Sequence, residues 1–203
     1  MTTQTKVIEN ISQASVEALS FVRQEPDWML DLRLKAWRFF EEMSWPTGAE
    51  ETWRRTKLTG FKMEDYTPLV GAGAIGRLPD AAAKSLAEVE SAGELAFVDG
   101  ARAHYRLNPQ LAAQGVIFTD LGTAVREHAD LVQKVFGTAV SEGENKFSAL
   151  HYAMWNSGTF VYVPRAVAVD QPLQVVIDQE EGKKAGFHHT VVATEPNAVV
   201  TLV

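Results

Sequence analysis

The amino-acid sequence predicts an α+β protein: an N-terminal helical region with a small β-hairpin element, leading into a strand-rich segment. Three observations carry that reading. Apolar residues recur at helical spacing from Val7 to Met43. Asp99-Gly100 separates two short runs that suit strands. After Asn156-Ser157-Gly158 the chain turns to short segments rich in Val, Ile and Phe, divided by turn residues. The main boundary therefore lies near Ser157, giving residues 1–156 as one region and 157–203 as the next. A chain of 203 residues suits one or two domains.

In order along the chain, Val7, Ile11, Val16, Leu19 and Val22 predict a first helix ending near Arg23. Glu25-Pro26-Asp27 marks a restart, because proline suits the first turn of a helix and an acidic residue suits its positive end. Met29, Leu32, Ala36, Phe40 and Met43 form one stripe, widened by Leu34 and Trp37, and Trp45-Pro46 stops the helix. Glu50 to Thr56 predicts a short helix with Glu50–Arg54 and Glu51–Arg55 ion pairs at i,i+4 spacing. A loop follows through Gly60 and Pro68, and the stretch Val70 to Pro79 has no periodicity.

Asp80 predicts the cap of a helix reaching Ser91. Leu95 to Val98 and Ala101 to Leu107 form the hairpin, since Asp-Gly favours the positive φ angles of a type I′ turn. Val116 to Phe118 is a further strand, and Asp120 opens a helical region that Gly137 closes. Phe147 to Trp155 is an amphipathic helix. Thr159–Val163, Leu173–Ile177, His189–Thr194 and Val199–Val203 are strands whose pattern alone permits a sandwich, a barrel or a β-solenoid.

Composition removes several function classes. The chain has no cysteine, so a thiolate nucleophile, a zinc ribbon, a redox CxxC or a cysteine-ligated cluster cannot be built from it. A net charge of -7 with no basic run argues against nucleic acid as a partner. No apolar run reaches the roughly 18 residues of a membrane span, so no membrane partner is expected. Met1 to Lys6 is polar and leads into no apolar run; without a leader or cysteines, the expected location is the cytoplasm.

Few residues stand out as chemistry. Gly71-Ala72-Gly73-Ala74-Ile75-Gly76 spells GxGxxG, the glycine pattern of dinucleotide sites, and Asp99 follows where a ribose-binding acid would stand. The context opposes that reading: Pro68 interrupts the preceding strand, and Pro79 keeps Leu78 out of a helix. A loop and a hairpin turn explain these residues better. His188 and His189 are adjacent on a strand, so their rings face opposite sides, and His104, His128 and His151 are scattered. Packed or solvent-facing histidines are the simpler reading. The five tryptophans read as core anchors.

Several segments together resemble the SufB/SufD family of the SUF iron–sulfur cluster assembly machinery, on its SufD-like side. They are Glu25-Pro26-Asp27-Trp28-Met29-Leu30-Asp31-Leu32-Arg33, Glu51-Thr52-Trp53-Arg54-Arg55-Thr56, Leu95-Ala96-Phe97-Val98-Asp99-Gly100, and Asn145 to Trp155 continuing into Gly158-Thr159-Phe160-Val161-Tyr162-Val163-Pro164. Arg165-Ala166 departs from the family's usual Lys-Gly. The resemblance implies that the strands after Ser157 are the first coils of a right-handed parallel β-helix. It implies a scaffold subunit and not an enzyme, acting with a SufB-like subunit and the SufC ABC-type ATPase. It places the ATPase-docking and interface residues beyond Val203, so no residue here takes a catalytic, cofactor-binding or metal role, and the cluster belongs to the assembled complex. Two rival readings are a nucleotide-dependent oxidoreductase using the Gly71–Gly76 loop, and a β-solenoid binding module unrelated to cluster assembly. The apolar run Val199 to Val203, with no cap after it, reads as the edge of a solenoid within a longer protein.

Overall fold

The structure is a computed structural model and describes residues 10–70 and 74–203. Ser12 caps α1 (Gln13–Val22), its hydroxyl accepting the Ser15 N–H at 3.3 Å. Val7, where the sequence places the start of this helix, lies outside the described residues. The chain then reverses through Gln24, at φ 54°, and Pro26 starts α2 (Asp27–Glu42) as expected. Met29, Ala36, Trp37 and Phe40 bury one side of α2, and Leu32 is half-buried beside them.

The segment expected as a helix at Glu50–Thr56 is a single 3-10 turn, Glu51–Trp53. Its tighter winding brings residues three apart together, so the ion pair is Glu51–Arg54 at 3.3 Å, not the i,i+4 pairs. A second such turn, Met63–Asp65, precedes β1 (Thr67–Pro68). α3 (Asp80–Ala87) has Pro79, not Asp80, at its N-cap, without a side-chain cap, and ends short of Ser91.

β2 (Gly93–Val98) and β3 (Ala101–Leu107) form the hairpin, with Asp99 at φ 47° and Gly100 at φ 80°. Two positive φ angles at the turn are what the type I′ reading requires. After the short helix α4 (Pro109–Ala113), β4 (Ile117–Asp120) runs into α5 (Leu121–Glu127), which Asp120 caps by accepting the Thr123 N–H at 2.9 Å. The helical region breaks at His128 into α6 (Ala129–Val135), and Gly137 follows at φ 78°. Asn145 and Ser148 form a capping box for α7 (Lys146–Met154). The last strands are β5 (Ser157–Val163), β6 (Leu173–Asp178), β7 (Lys184–Ala185) and β8 (His188–Thr194).

These strands make small mixed sheets, which corrects the expected opening coils of a right-handed parallel β-helix. The orders are β1-β7, β3-β2-β6 and β4-β5-β8. β2–β6 and β5–β8 are parallel, but β2–β3 and β4–β5 are antiparallel. The strands after Ser157 thus join strands from earlier in the chain. Alternating apolar residues specify which face is buried and leave the partner strand open; here β4 pairs β5, the hairpin pairs β6, β1 pairs β7, and β8 adds to β5. Val199–Val203 is not a continuous strand: it makes isolated parallel bridges, Ala168 to Val199 and Leu173 to Leu202. Among the described residues no helix is long and apolar enough to cross a membrane.

The core forms two clusters. One joins α2, α5, α6 and α7 around Trp155 and Phe160; the other lies between the hairpin, β4 and the loops around β6. Between α1, α2 and the end of α7 sits a buried ionic group. Arg33, fully buried, donates to Glu25 through Nε at 2.7 Å and Nη2 at 2.6 Å, to the Ala153 carbonyl at 2.9 Å and to the Trp155 carbonyl at 2.9 Å. Arg23 Nη1 donates to the Asn156 carbonyl at 2.6 Å, and its Nε to Glu25 at 3.2 Å. Both guanidinium groups lie over the Trp155 ring, at 4.3 Å for Arg33 and 4.8 Å for Arg23.

Removing one partner of such a buried pair strands the other charge. Arg33→Met is expected to cost about 3–5 kcal/mol, read by urea denaturation. The double variant Glu25→Gln/Arg33→Met should lose less than the two single losses added together. Strictly additive losses would show that the pair is not coupled.

Candidate functional site

The glycine motif and the histidines are the two places where the sequence offers chemistry. Gly71, Ala72 and Gly73 lie outside the described residues. The rest of the motif runs along the hairpin: Ala74 bridges Arg102, and the Ile75 N–H donates to the Arg102 carbonyl at 2.9 Å. The next helix starts only at Asp80, beyond Pro79, so Ala74 to Gly76 do not form the helix-opening turn that a pyrophosphate needs. Asp99 turns its carboxylate to the backbone, accepting the N–H groups of Glu180 and Glu181 at 3.0 and 3.1 Å. It pins the chain after β6 to the hairpin turn.

The five histidines divide. His104 sits on β3 beside Glu94 at 2.9 Å, and Arg106 also pairs with Glu94. Those partners, the Arg106 hydrogen bond first, hold the Glu94 carboxyl down at about 2. His128 stands at the α5–α6 break. The other three gather around the start of β8. As alternation on a strand dictates, His188 and His189 face opposite sides. His188 contacts Ser157 Oγ at 3.0 Å and Thr159 Oγ1 at 3.1 Å, with its ring edge-on to Phe97. His189 meets His151 of α7 at 2.9 Å and stacks on Phe136 with ring centres 4.6 Å apart.

Burial is the main cause of the low basicity of this group. It pushes His188 down to about 4 and His189 down to about 3, with nearby His151 adding to both shifts. His151 is lowered by burial and then by the Arg33 charge. The His151–His189 contact works with both rings neutral, one nitrogen donating and the other accepting. The pair lines a cavity of about 640 Å³ with Trp53, Phe147, Tyr152 and Val191. Among the described residues no three His, Asp or Glu side chains are placed to hold a metal ion. Two rings held mostly neutral by apolar neighbours suit packing and hydrogen bonding better than proton transfer near neutral pH.

The sequence does not reveal the His151–His189 pair, because a helix and a strand 38 residues apart bring it together. What allows it is the parallel pairing of β5 with β8, which sets Gly158 opposite His189. A Cβ at Gly158 would come within 2.4 Å of the His189 carbonyl oxygen and 2.9 Å of the Leu121 side chain. That glycine is the one readable signal of a close approach here.

Comparison with known proteins places this architecture. The family model described as the SufBD protein N-terminal region matches residues 15–175. The chain is 35% identical over 209 aligned positions to the iron–sulfur cluster assembly protein SufD of Bacillus subtilis, covering 100% of this chain and 46% of that protein. It is 33% identical over 204 positions to an iron–sulfur cluster assembly SufBD family protein of Mycobacterium bovis, covering 94% of this chain and 23% of that one. A Staphylococcus haemolyticus protein with the same family description is 29% identical over 211 positions, covering 95% of this chain and 43% of its own length. The chain thus spans about half the length of the Bacillus relative or less.

The histidines set a pH dependence with a definite sign. A folded-state value below the ordinary 6.5 means that the unfolded chain binds more protons, so stability is full above about 6.5 and is lost as pH falls through about 4 and then 3. Urea midpoints should decline from pH 7 to pH 4.5, and His189→Gln should flatten that decline. Ring-proton NMR should find His188 and His189 neutral at pH 5; titration of both near 6.5 would show that they are not buried as described.

Proposed function

The chain belongs to the SufBD family, and on that premise we propose that it forms the N-terminal part of a scaffold subunit for iron–sulfur cluster assembly. In this reading it acts with a SufB-like subunit and a SufC-type ABC ATPase, is not an enzyme by itself, and works in the cytoplasm. The cluster is cargo of the assembled complex, and this segment holds no cofactor of its own. The observation that carries the reading is similarity along the chain: the family model spans 15–175, and the Bacillus SufD alignment covers all of this chain.

The fold gives that similarity a physical content. The matching segments are the ones that meet in space. Glu25 and Arg33 come from the first, and Trp155 from the last, with Asn156 directly after it, joined through the Arg33–Trp155 and Arg23–Asn156 contacts. The segment from Gly158 to Val163 then makes the central strand of a sheet. What links these motifs is a packing unit, which suits a protein whose work is to hold other subunits.

Co-expression with a SufB-like protein and a SufC-type ATPase, followed by affinity capture of the protein, tests the proposal. Co-purification of all three in fixed ratio is expected. After anaerobic reconstitution with iron and sulfide and desalting, the complex should keep iron and acid-labile sulfide, and residues 1–203 alone should not. Failure of the partners to co-purify would overturn the scaffold reading. A cluster kept by this segment alone would overturn the statement that it holds no cofactor.

A further inference from the structure

At the start of β5 the structure holds a second cavity, of about 430 Å³, that the scaffold reading does not use. It lies where the end of α1, the hairpin, the start of α5 and the start of β5 converge. Arg23, Arg102 and Arg126 line it, with Asp120, Thr123 and Ser157. Asp120 is the single carboxylate among the described lining residues, and its oxygens are engaged. Oδ1 accepts the Thr123 N–H at 2.9 Å, while Oδ2 accepts the Thr123 hydroxyl at 2.8 Å and Arg102 Nη1 at 2.7 Å. Asp99, at the nearby turn, directs its carboxylate to Glu180 and Glu181 instead.

Among the described lining residues three arginines face one carboxylate, in a chain whose net charge is -7. Arg126 differs from Arg102. Its described hydrogen bonds are long and go to neutral oxygens, the Arg23 carbonyl at 3.2 Å and Thr123 Oγ1 at 3.4 Å. Among the described residues no carboxylate lies within ion-pair distance of it. A guanidinium group presents a planar fork of N–H donors that matches a phosphate in shape and charge.

We infer that this cavity binds the phosphate group of a small phosphorylated molecule, with Arg126 and Arg102 as the phosphate-holding residues and Arg23 as a fixed charge in the wall. The Arg126 and Arg102 forks suit a phosphomonoester dianion, and the volume lies within the roughly 300–1,000 Å³ of small-molecule sites, leaving room for a group attached to the phosphate. The inference stands on the arginine geometry and is independent of the assembly reading.

Calorimetric titration of the protein at fixed ionic strength tests it, with glycerol 3-phosphate, inorganic phosphate and chloride as the probes. Saturable one-to-one binding of glycerol 3-phosphate is expected, with phosphate weaker and chloride without effect. Binding of phosphate equal to that of the ester would restrict the site to the free anion and overturn the phosphomonoester assignment. Arg126→Gln should weaken binding about ten- to hundredfold, the worth of charge-assisted hydrogen bonds, and Arg126→Lys should recover part of it. Arg126 is exposed and outside both core clusters, so an unchanged urea midpoint is expected for both variants. Absence of saturable binding by either phosphate probe would overturn the inference. So would equal affinity in Arg126→Gln.

Discussion

The structure depends on how the end of α7 is buried. A helix terminus leaves carbonyl oxygens without partners inside the helix, and inside a core each one is costly unless a donor reaches it. Here the Ala153, Trp155 and Asn156 carbonyls receive N–H groups from Arg33 and Arg23, which come from α2 and from the residue after α1. Two buried guanidinium groups would themselves be prohibitive, and Glu25 answers them by taking three of their N–H groups. Desolvation still leaves its mark: it lowers Arg23 to about 10 despite the adjacent carboxylate. The Trp155 ring beneath both cations excludes water from the group and adds an attraction of its own.

This fixes where the chain leaves the helical region and becomes β5. Asn156, next after Trp155, binds the end of β7 and the chain just beyond it: its amide donates to the Ala185 carbonyl at 3.0 Å, and its oxygen accepts the Phe187 N–H at 3.1 Å. With both ends of that junction held, Ser157 must register with His188, and the rest of the β5–β8 ladder follows residue by residue. On its other edge β5 takes β4, which delivers Asp120 and the start of α5. The histidine cavity and the arginine cavity are therefore consequences of one anchored junction.

Features with a local code are legible in the amino-acid sequence itself. Pro26 at a helix start, Asp99-Gly100 in a hairpin and Asp120 as a cap all behave as single-residue chemistry says they should. The alternation that sets His188 and His189 on opposite faces belongs to the same class. The ionic group is harder to read, since an arginine within a helix normally reads as exposed. A trace of it is present: Arg33 falls in phase with Met29, Ala36, Trp37 and Phe40, a charge on the apolar stripe itself. The sheets are least legible. A run of Val and Ile announces a buried strand but not its neighbour, and β5 and β6 find theirs in β4 and the hairpin, far back in the chain. The His151–His189 contact and the arginine cavity depend on those pairings, so neither can be assembled from spacing.

Both cavities also depend on one residue with no side chain. Gly158 lines the arginine cavity, lies opposite His189 in the parallel ladder, and has Leu121 of α5 against it. A methyl group there would push against backbone on the β8 side and against the start of α5 on the other, and neither can yield without moving what it carries. On β8 that is the ring stacked on Phe136; on α5 it is the turn that positions Thr123 and Arg126. Packed interiors respond to such an intrusion by shifting whole elements, because no free volume absorbs it. β8 and α5 are thus mechanically joined at Gly158.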